Sequence, residues 1–568
     1  MIFRDYFNYT SVFSTVTFLF ALLILIPLGL YLCKYKLTYI LISILGLILS
    51  TVYLSQLIML VVNFLKTTNH NIIGLLLEYG IPIGFFLVVA VGIVRSGLQI
   101  WANHWQYQPL PPLRDRVVLK TRFRQWCLGF VHWIKSPEGI GVVAIEAFVL
   151  VVHLIYLGRP ASPNIIDEGY YVPEALHFLY RLPMSLPQHP PLGKWLIASS
   201  MYIFGINPVG WRVFSVIFSL IGIFIFYLII KKLTAKWPQS GAFVSILGTF
   251  LFATENLSFV MGHIAMLDVF YVTFMLLGFL LYLRGNYTSC GIAMGFSLLC
   301  KVTAILGIAA VILHWLITRR SEILMELQNI WDAVNERVMR LPLSHNLLNL
   351  FKTLVFALAV WIILIVPLEY GSAHQFTADT LWYNPLFRTV YMVWHPLNES
   401  FSALASGSVS GGELRGVSTP LQWIFKPGAV NVNLAGNDLT RYMGSIGWNI
   451  WIFIVPSFLY LIYASVRIRE KGHDIALFLL CWLLCIYGSL VVLQLATGRL
   501  TYDYYFYPAV PAICLTIAWG FWRLWEMARN RVGTKVVFIS GLTLYILTSL
   551  AVFVIMSPLG TNLVKLPF

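Results

Sequence analysis

Residues 167–195 read D-E-G-Y-Y-V-P-E-A-L-H-F-L-Y-R-L-P-M-S-L-P-Q-H-P-P-L-G-K-W and lie between segments that are apolar enough to face lipid. Two adjacent carboxylates, Asp167 and Glu168, open this stretch. Pro173 is tolerated in the first turn of a helix, because its missing N–H would be unpaired there anyway. We therefore predict that both acids lie in a loop and that a short helix follows over about 173–180.

The second half of the stretch carries the motif H-P-P-L-G-K at 189–194. The consecutive prolines Pro190 and Pro191 fix φ and exclude a helix. A rigid turn is therefore predicted between His189 and Lys194. Acids, a His, a Lys and several aromatic rings within one short stretch at a membrane edge indicate a functional site.

The composition is that of a polytopic membrane protein. The 568 residues are 59% hydrophobic and 11% charged, with a mean hydropathy of +0.80, whereas a soluble domain carries about 25% charged residues. The net charge of +15 does not indicate nucleic-acid binding, because the basic residues fall in short loops between apolar runs, as the positive-inside rule predicts. The seven cysteines form no metal-binding C-x-x-C pattern.

The apolar runs predict about fourteen transmembrane helices. They lie near 12–33, 38–63, 72–97, 139–158, 209–230, 241–256, 266–283, 288–301, 302–317, 351–368, 442–464, 474–495, 504–524 and 535–557. Most Lys and Arg residues fall in loops on one side of these spans, and that side is predicted to be cytoplasmic. The loops 159–208 and 369–441 are then extracytoplasmic.

Three regions follow from this reading of the chain. Residues 1–100 form an N-terminal block of three spans, and 101–138 form a basic cytoplasmic linker. Residues 139–568 form a core of eleven spans that holds both long extracytoplasmic loops. The predicted fold class is an all-α polytopic membrane protein.

Ionisable residues recur at the predicted outer ends of the spans. A charge at such a position is costly and is therefore a candidate for function. The residues are Arg212, Glu255, His263, Asp268, Lys301 and Arg499. Threading the spans in alternate directions brings all of them to one face. The acids and the His among them could bind a divalent ion, but no ligand spacing requires one, and no metal site is predicted.

Carboxylates with Arg and Lys at an outer membrane face fit the chemistry of a lipid-linked phosphate ester. The lipid tail needs a groove between helices, the phosphate needs cations, and an acid must deprotonate an incoming hydroxyl. Inverting glycosidases use two carboxyl groups, because a leaving alkoxide must be protonated. A polyprenyl phosphate is already a good leaving group, so one carboxylate base with cationic stabilisation of the departing phosphate suffices.

A series of motifs resembles the protein O-mannosyltransferase group of GT-C membrane glycosyltransferases. The motifs are D-E-G-Y-Y-V-P-E-A (167–175), Q-H-P-P-L-G-K-W-L (188–196), G-I-N-P-V-G-W-R-V-F-S (205–215), M-L-D (266–268) and L-L-C-K-V-T (298–303). Near the C-terminus, G-N-D-L (436–439) and Y-Y-F-Y-P-A-V-P (504–511) resemble that family's Gly-Asn-Pro and Tyr-Tyr…Pro…Pro segments. The resemblance covers about 139–557 and implies a GT-C-like fold with an eleven-span core.

The resemblance implies a polyprenyl- or dolichyl-phosphate sugar donor, with mannose favoured, and an acceptor hydroxyl, with protein Ser/Thr favoured. It implies inversion at the anomeric carbon, with the lipid-linked sugar as the substrate. By the same resemblance Asp167 is the general base and Glu168 orients the acceptor or the base. Arg212 is either a phosphate-binding or a site-organising cation.

The other site residues are also implied by the resemblance. Those expected at the donor are Lys301, Arg499, Tyr504 and Tyr505. Those expected to shape the site are His189, Pro190, Pro191, Lys194, His263, Asp268 and Asn437. The chain departs from the family pattern in its three added N-terminal spans, in Asp438 where Pro is common, and in a 369–441 loop without a sizeable sugar-binding domain.

Two alternatives stay open beside protein mannosylation. The same chemistry could act on a lipid or polysaccharide acceptor. A transporter or flippase would also carry intramembrane ion pairs, but it predicts internal repeats and spans broken at the bilayer midplane, and the sequence shows no repeat. An inactive scaffold is disfavoured by the retained Asp167 and Glu168.

In a prokaryote the predicted location is the plasma membrane, with the active site on the extracytoplasmic side.

Overall fold

A computed structural model describes residues 131–163, 166–180, 182, 188–335, 345–370, 392, 418–425, 431–432, 442–467, 472–499 and 501–559. The chain divides into two compact units, 1–127 with 319–348 and 128–318 with 349–568. The three N-terminal spans, most of the linker 101–138 and most of the loop 369–441 lie outside the described residues.

The first half of the larger unit is a succession of helices. They are α1 (Pro137–Tyr156), α2 (Glu168–Tyr180), α3 (Leu192–Phe204), α4 (Pro208–Leu233), α5 (Pro238–Ala253), α6 (Asn256–His263), α7 (Leu267–Leu283), α8 (Tyr287–Cys300) and α9 (Ile305–Thr318). The start of α4 is well specified, because Asn207 caps it through the Gly210 N–H at 3.0 Å and Pro208 occupies its first turn. A 3₁₀ turn, Val302–Ala304, leads into α9.

The remaining helices are α10 (Arg320–Asn335), which belongs to the smaller unit, α11 (His345–Tyr370), α12 (Pro420–Phe425), α13 (Trp448–Trp451), α14 (Ile454–Val466), α15 (His473–Leu483), α16 (Ser489–Thr497), α17 (Val510–Ala528) and α18 (Val532–Met556). A π-helical segment, Leu484–Gly488, joins α15 to α16. A 3₁₀ segment, Asp503–Ala509, leads into α17. Two short strands, β1 (Asn431–Val432) and β2 (Tyr442–Met443), pair antiparallel.

Apolar helices occupy the predicted spans from residue 139 onward. Among the described residues, seven helices are long and apolar enough to cross a membrane, or up to nine if each of two bent helix pairs makes one span. The helices α7 and α8 are apolar but shorter. One predicted boundary is wrong, since the span expected from 442 begins only at Trp448: Tyr442 and Met443 instead pair with β1. The chain is an integral, multi-pass helical membrane protein.

Helix α7 lies at the centre of the larger unit. It packs against both α4 and α8 and is buried on nearly all sides, as expected of a helix that is apolar all round. The Thr273 hydroxyl donates to the Phe218 carbonyl at 2.9 Å, and the Ser297 hydroxyl donates to the Tyr271 carbonyl at 2.7 Å. The first turn of this well-anchored helix carries Asp268.

The short helix after the acidic pair begins earlier than its sequence predicted. It runs from Glu168, so Glu168 lies in its first turn, and Pro173 lies inside it. The Asp167 carbonyl accepts the N–H groups of Tyr170 and Tyr171 at 2.9 and 3.0 Å, which starts the helix ahead of the proline. A carboxylate in the first helical turn is favoured by the helix dipole, and this offsets the hydrogen bond that Pro173 cannot donate.

Candidate active site

Asp167 lies at the tight junction between the loop after α1 and the start of α2. The preceding residue, Ile166, has φ of 47°, a left-handed conformation that is uncommon for a β-branched side chain. Such strained backbone is often found at functional sites. The Asp167 Oδ2 atom accepts a hydrogen bond from the Tyr504 hydroxyl at 2.6 Å. The Tyr171 hydroxyl is a second hydrogen-bonding partner of this carboxylate.

The neighbouring acid, Glu168, is held by Arg212 at two points. The Arg212 Nε donates to Oε1 at 2.9 Å, and Nη2 donates to Oε2 at 2.7 Å, with both side chains fully buried. The Ala265 N–H also donates to Oε1, at 2.9 Å. Protein donors therefore surround the Glu168 carboxylate. Its effect on the site is indirect, through the residues that it binds.

Arg212 reaches the loop before Asp167 with its other amino group. Its Nη1 atom donates to the carbonyls of Leu157, Arg159 and Pro160 at 3.2, 2.8 and 3.1 Å. Carbonyl and carboxylate oxygens of the protein thus surround this buried guanidinium. Of the two roles that the sequence left open for Arg212, the geometry favours organising the site over binding a phosphate.

Lys301 and Asp268 form a second buried ion pair. The Lys301 Nζ atom donates to both Asp268 oxygens at 2.9 and 2.8 Å, and the two side chains are only 3% and 1% exposed. Lys301 reaches this position because its extended backbone, φ −154° and ψ 132°, interrupts the helix between α8 and the following 3₁₀ turn. Its Nζ also lies 5.6 Å from the ring centroid of Tyr504 and 5.3 Å from that of Tyr505, within the range of cation–π attraction.

The surroundings of Asp167 tune its proton affinity. Burial raises the pKa of Asp167, and the negative charge of Asp268 acts in the same direction. The hydrogen bond from Tyr504 and the charge of Lys301 lower the pKa of Asp167 and so favour its ionised form. A carboxylate with a raised pKa is a stronger proton acceptor than a free one, which is what a general base requires.

His189 lies in the predicted turn ahead of α3. Its ring centroid is 6.1 Å from that of Tyr171. Burial lowers the pKa of His189 well below its ordinary value, and the charges of Lys301, Lys194 and Arg499 lower it further. The imidazole is therefore neutral at neutral pH and adds no charge to a cluster that already holds three cations.

Lys194 lies in the first turn of α3, which begins directly after Pro191. Its Nζ atom is 3.7 Å from Glu174 Oε1, and both side chains are fully buried. The helix starts directly behind the two prolines, with Pro191 at its N-cap. This contact joins α2 to α3 across the turn, so Lys194 shapes the loop and does not face solvent.

Arg499 is the cation whose surroundings differ most from those of the others. It is half-buried, and its side chain makes no hydrogen bond or ion pair with the part of the chain that the structure describes. Its charge acts on His189, so it lies near the same cluster. Asn437, the remaining predicted site residue, lies outside the described residues.

A small, partly open cavity adjoins the Lys301–Asp268 pair. Its polar lining consists of Asp268, Lys301, Tyr271, Thr303 and Tyr505. Its apolar lining consists of Met275, Leu306, Ile486, Leu490 and Pro508. A cavity lined by both charged and apolar side chains is compatible with a ligand that has an anionic head and a hydrocarbon tail.

Glu255, another predicted outer acid, has a structural position. It is the N-cap of α6 and accepts the N–H groups of Leu257 and Ser258 at 3.0 and 2.7 Å. It also accepts the Gly447 N–H at 2.8 Å and so fastens the segment before α13 to the start of α6. These hydrogen bonds are those expected of a helix cap.

His263 pairs with a second histidine. Its Nδ1 atom lies 3.0 Å from that of His153, both rings are fully buried, and Phe259 stacks on His153 with ring centroids 4.3 Å apart. Within the described ranges, no group of three His, Cys, Asp or Glu side chains is arranged to hold a metal ion. The pair lies at the end of α1, next to the loop that Arg212 binds.

Two partners of the predicted residues were not foreseen from the sequence. Tyr171 contacts Asp167, and Glu174 contacts Lys194. The first had a signal in the sequence, because residues four apart share a face of a helix, but the predicted helix begins only at Pro173 and so does not include Tyr171. The second contact crosses from α2 to α3, and no local spacing indicates it.

Part of this chain matches a known family by sequence. Residues 188–331 match the family model described as dolichyl-phosphate-mannose-protein mannosyltransferase. The polyprenol-phosphate-mannose–protein mannosyltransferase of Mycolicibacterium smegmatis is 30% identical over 155 residues, which are 26% of this chain and 29% of that protein. The corresponding protein of Mycobacterium tuberculosis is 30% identical over 179 residues, 30% of this chain and 31% of that one. The chain thus aligns with less than a third of the length of these relatives.

The similarity of fold extends further than the similarity of sequence. A structure of the Saccharomyces cerevisiae protein O-mannosyltransferase Pmt1-Pmt2 complex bound to the sugar donor aligns with a TM-score of 0.55 at 10% identity. The alignment covers 75% of this chain and 90% of that one. Over that part of the chain the fold is therefore similar to that of the yeast O-mannosyltransferase, and the resemblance indicated by the sequence motifs is confirmed.

Proposed function

We propose that this protein transfers a mannosyl group from a polyprenyl-phosphate carrier to the hydroxyl of a protein Ser or Thr, with inversion at the anomeric carbon. One observation carries the proposal. Asp167, an acid with a raised pKa, shares a cluster with Lys301, whose ion pair with Asp268 lines a small cavity together with apolar side chains. The fold on which this cluster is built is that of protein O-mannosyltransferases.

The proposed donor approaches the cavity with its lipid tail along the apolar lining. Leu306, Ile486 and Leu490 offer the hydrocarbon surface. The phosphate then lies toward Lys301 and Arg499. The Arg499 guanidinium is available to a ligand, because it makes no hydrogen bond or ion pair with the described residues. A guanidinium can bind two phosphate oxygens at once, and this supports Arg499 as the phosphate-binding residue.

The transfer is a single displacement. Asp167 accepts the proton of the acceptor hydroxyl while its oxygen attacks the anomeric carbon from the side opposite the phosphate. The new carbon–oxygen bond forms as the bond to the carrier phosphate breaks, and the phosphate leaves with the bonding electrons. Lys301 and Arg499 stabilise the charge that develops on the phosphate. Attack from the opposite side gives inversion.

The proposed topology has fourteen spans, eleven of them in the core, with Asp167 on the extracytoplasmic side. It is supported by the apolar helices at the predicted core positions and by the Lys and Arg residues in loops on the opposite side. A carrier lipid with its phosphate at the outer surface would present the sugar to this site. In a prokaryote the protein would act at the plasma membrane.

The proposal is tested with purified protein in lipid nanodiscs, a polyprenyl-phosphate mannose and a Ser/Thr-containing peptide. Mass spectrometry of the peptide should show addition of one hexose. Asp167→Asn should lower the transfer rate by ~10²–10⁴-fold, the usual contribution of a general base. The matched control is Asp474→Asn, which changes an exposed carboxylate that pairs with Lys236. The transfer rate of this variant should stay at the wild-type level.

Other outcomes would redirect the proposal. Hexose on a lipid or a glycan, with none on any peptide, would retain the donor chemistry and change the acceptor. Wild-type turnover in Asp167→Asn would remove the proposed mechanism. Movement of the intact donor lipid across the membrane, with no transfer to any hydroxyl, would favour the flippase alternative.

A further inference from the structure

Tyr504 holds the proposed base directly. Its hydroxyl donates to Asp167 Oδ2 at 2.6 Å, although 337 residues separate the two in the chain. The sequence indicated a tyrosine at the donor, whereas the geometry gives this tyrosine the carboxylate as its partner. A short hydrogen bond to an ionised acceptor is among the stronger kinds found in proteins.

The phenol ring of Tyr504 is fixed by the core. The ring is 4% exposed and lies in the 3₁₀ segment that leads into α17. It packs edge-on against Tyr505 at 4.9 Å and parallel to Tyr502 at 5.6 Å. The Trp482 Nε1 atom donates to the Pro508 carbonyl at 2.9 Å and fastens the same segment to α15. The hydroxyl therefore has a well-defined position.

Asp167, in contrast, lies in a loop and is only half-buried. Its backbone follows the left-handed Ile166, and its carboxylate is hydrogen-bonded to the hydroxyls of Tyr504 and Tyr171. The direction of the carboxylate thus depends on the groups that bind it. Through the Tyr504 hydrogen bond, the well-packed segment ahead of α17 orients this carboxylate. The loop alone would orient it less well.

We propose that Tyr504 is a positioning residue, which holds one oxygen of Asp167 so that the other oxygen can accept the proton of the attacking hydroxyl. This inference rests on the proposed function. In the reaction the acceptor proton passes to the Oδ1 atom of Asp167, and Tyr504 keeps its own proton throughout. Tyr504 touches neither the sugar nor the phosphate.

The groups that face Asp167 come from four elements. They are Tyr171 of α2, Asp268 of α7, Lys301 after α8 and Tyr504 before α17. Burial and Asp268 favour the protonated acid, while Tyr504, Lys301 and Tyr171 favour the carboxylate, with Tyr504 the strongest of these three. Removing the Tyr504 hydroxyl should therefore leave Asp167 protonated up to a higher pH.

The test is the pH profile of Tyr504→Phe in the full-length protein in nanodiscs, with polyprenyl-phosphate mannose and a Ser/Thr peptide. The acidic limb of kcat/KM should move to higher pH by about one pH unit, which corresponds to the loss of one hydrogen bond to a charged group. On the alkaline plateau kcat should fall roughly tenfold from the loss of orientation, and the donor KM should change by less than about twofold.

A matched control removes a phenol hydroxyl at the opposite end of α7 from Asp268. The Tyr282 hydroxyl is 2.8 Å from His314 Nδ1 at the last turn of α7, whereas Asp268 lies in the first turn. Tyr282→Phe should leave the acidic limb where it is in the wild type. If Tyr504→Phe folds poorly, a fluorinated tyrosine at position 504 keeps the ring and donates more strongly, and it should move the limb to lower pH.

The outcomes separate this inference from the function on which it rests. A wild-type limb and kcat in Tyr504→Phe, with Asp167→Asn inactive, would overturn the role of Tyr504 and leave the function intact. A raised donor KM with an unmoved limb would make Tyr504 a donor contact and would also overturn it. Wild-type turnover in Asp167→Asn would instead remove the base, and the proposed function with it.

Discussion

Arg212 donates hydrogen bonds to both carboxylate oxygens of Glu168, at 2.9 and 2.7 Å. The two residues are 44 positions apart in the sequence, and both side chains are fully buried. Because the Ala265 N–H binds the same carboxylate, the pair connects the starts of α2 and α4 to the segment ahead of α7. Asp167, the residue before Glu168, owes its position to this connection. Breaking a buried pair on one side leaves an uncompensated charge, which typically costs about 3–5 kcal/mol.

Arg212→Ala should lower the free energy of unfolding by roughly 3–5 kcal/mol, since Glu168 would remain buried without its partner. In the protein that still folds, kcat should fall and the donor KM should change little. Arg212→Lys should restore only part of both, because an ammonium cannot bind two carboxylate oxygens in a planar fork. Thermal unfolding in detergent and initial rates at varied donor concentration measure the two effects.

The control is Arg523→Ala, which breaks a partly exposed pair with Glu526 on α17. It should cost less than about 1 kcal/mol, as such pairs usually do. A raised donor KM in Arg212→Ala, together with a wild-type melting temperature, would contradict this assignment. Arg212 would then be the phosphate-binding cation, the other role that the sequence allowed.

Lys301 and Asp268 should behave as one unit in a double-mutant cycle. Lys301→Met and Asp268→Asn each leave one buried partner behind, so each should lower stability by about 3–5 kcal/mol. The double variant should lose clearly less than the sum of the two, because neither charge remains. Transfer activity should be lost in both variants that lack Lys301, since the cation that lines the cavity is gone.

The exposed pair of Lys236 and Asp474 provides the reference cycle, with side chains that are 70% and 61% exposed. Its coupling should stay within about 1 kcal/mol. Additive losses at Lys301 and Asp268 would show that the two charges do not depend on each other. Full transfer activity in Lys301→Met would exclude this cation from the stabilisation of the leaving phosphate.

The sequence predicted which residues would share a face better than it predicted their partners. Alternating spans of nearly fixed length bring the ends of helices to one of two levels, and this was enough to group Asp268 and Lys301 with Asp167. Which acid pairs with which cation depends on side-chain geometry across 33 residues for Lys301 and 44 for Arg212. Hydropathy and spacing carry no information on that geometry.

The same limit explains the helix that begins too early. The sequence predicts Pro173 in the first turn of the helix, because a proline is tolerated there. In the structure, Glu168 gains a partner in Arg212, which local propensity could not anticipate, and the helix begins there. Tertiary contact thus set the boundary, and it also placed Tyr171 one turn after Asp167, on the same side of α2.

The neutral His189 should make stability depend on pH. Its pKa is lowered well below 6.5 in the folded protein, so below that pH the unfolded chain binds a proton that the folded protein does not. Stability then falls as pH falls. His189→Gln removes this contribution, and its melting temperature should decline less than that of the wild type from about pH 8 to about pH 5.

The comparison of the two curves cancels the effect of every other titrating group, provided that those groups are unaffected by the change. The slopes should differ by at most one proton, or about 1.4 kcal/mol per pH unit. Parallel curves would mean that His189 is protonated as readily in the folded protein as in the unfolded chain. The three cations around it would then be too distant or too well screened to act on it.

The proposed orientation predicts which side chains can be labelled from outside the cell. Ser162 is exposed in the loop ahead of Asp167, and Lys232 is exposed in the last turn of α4, which starts on the Asp167 side. Ser162→Cys should react with a membrane-impermeant maleimide in intact cells. Lys232→Cys should react only after the membrane is opened, because basic residues of short loops stay in the cytoplasm.

The native cysteines set the background of this experiment. Of those that the structure describes, Cys290, Cys300, Cys481 and Cys514 are buried and should react slowly with a polar reagent. A parent protein in which all seven cysteines are replaced by Ser removes the remaining background. Labelling of Lys232→Cys in intact cells, with Ser162→Cys protected, would invert the topology. Asp167 would then face the cytoplasm, and the donor would have to present its sugar on that side.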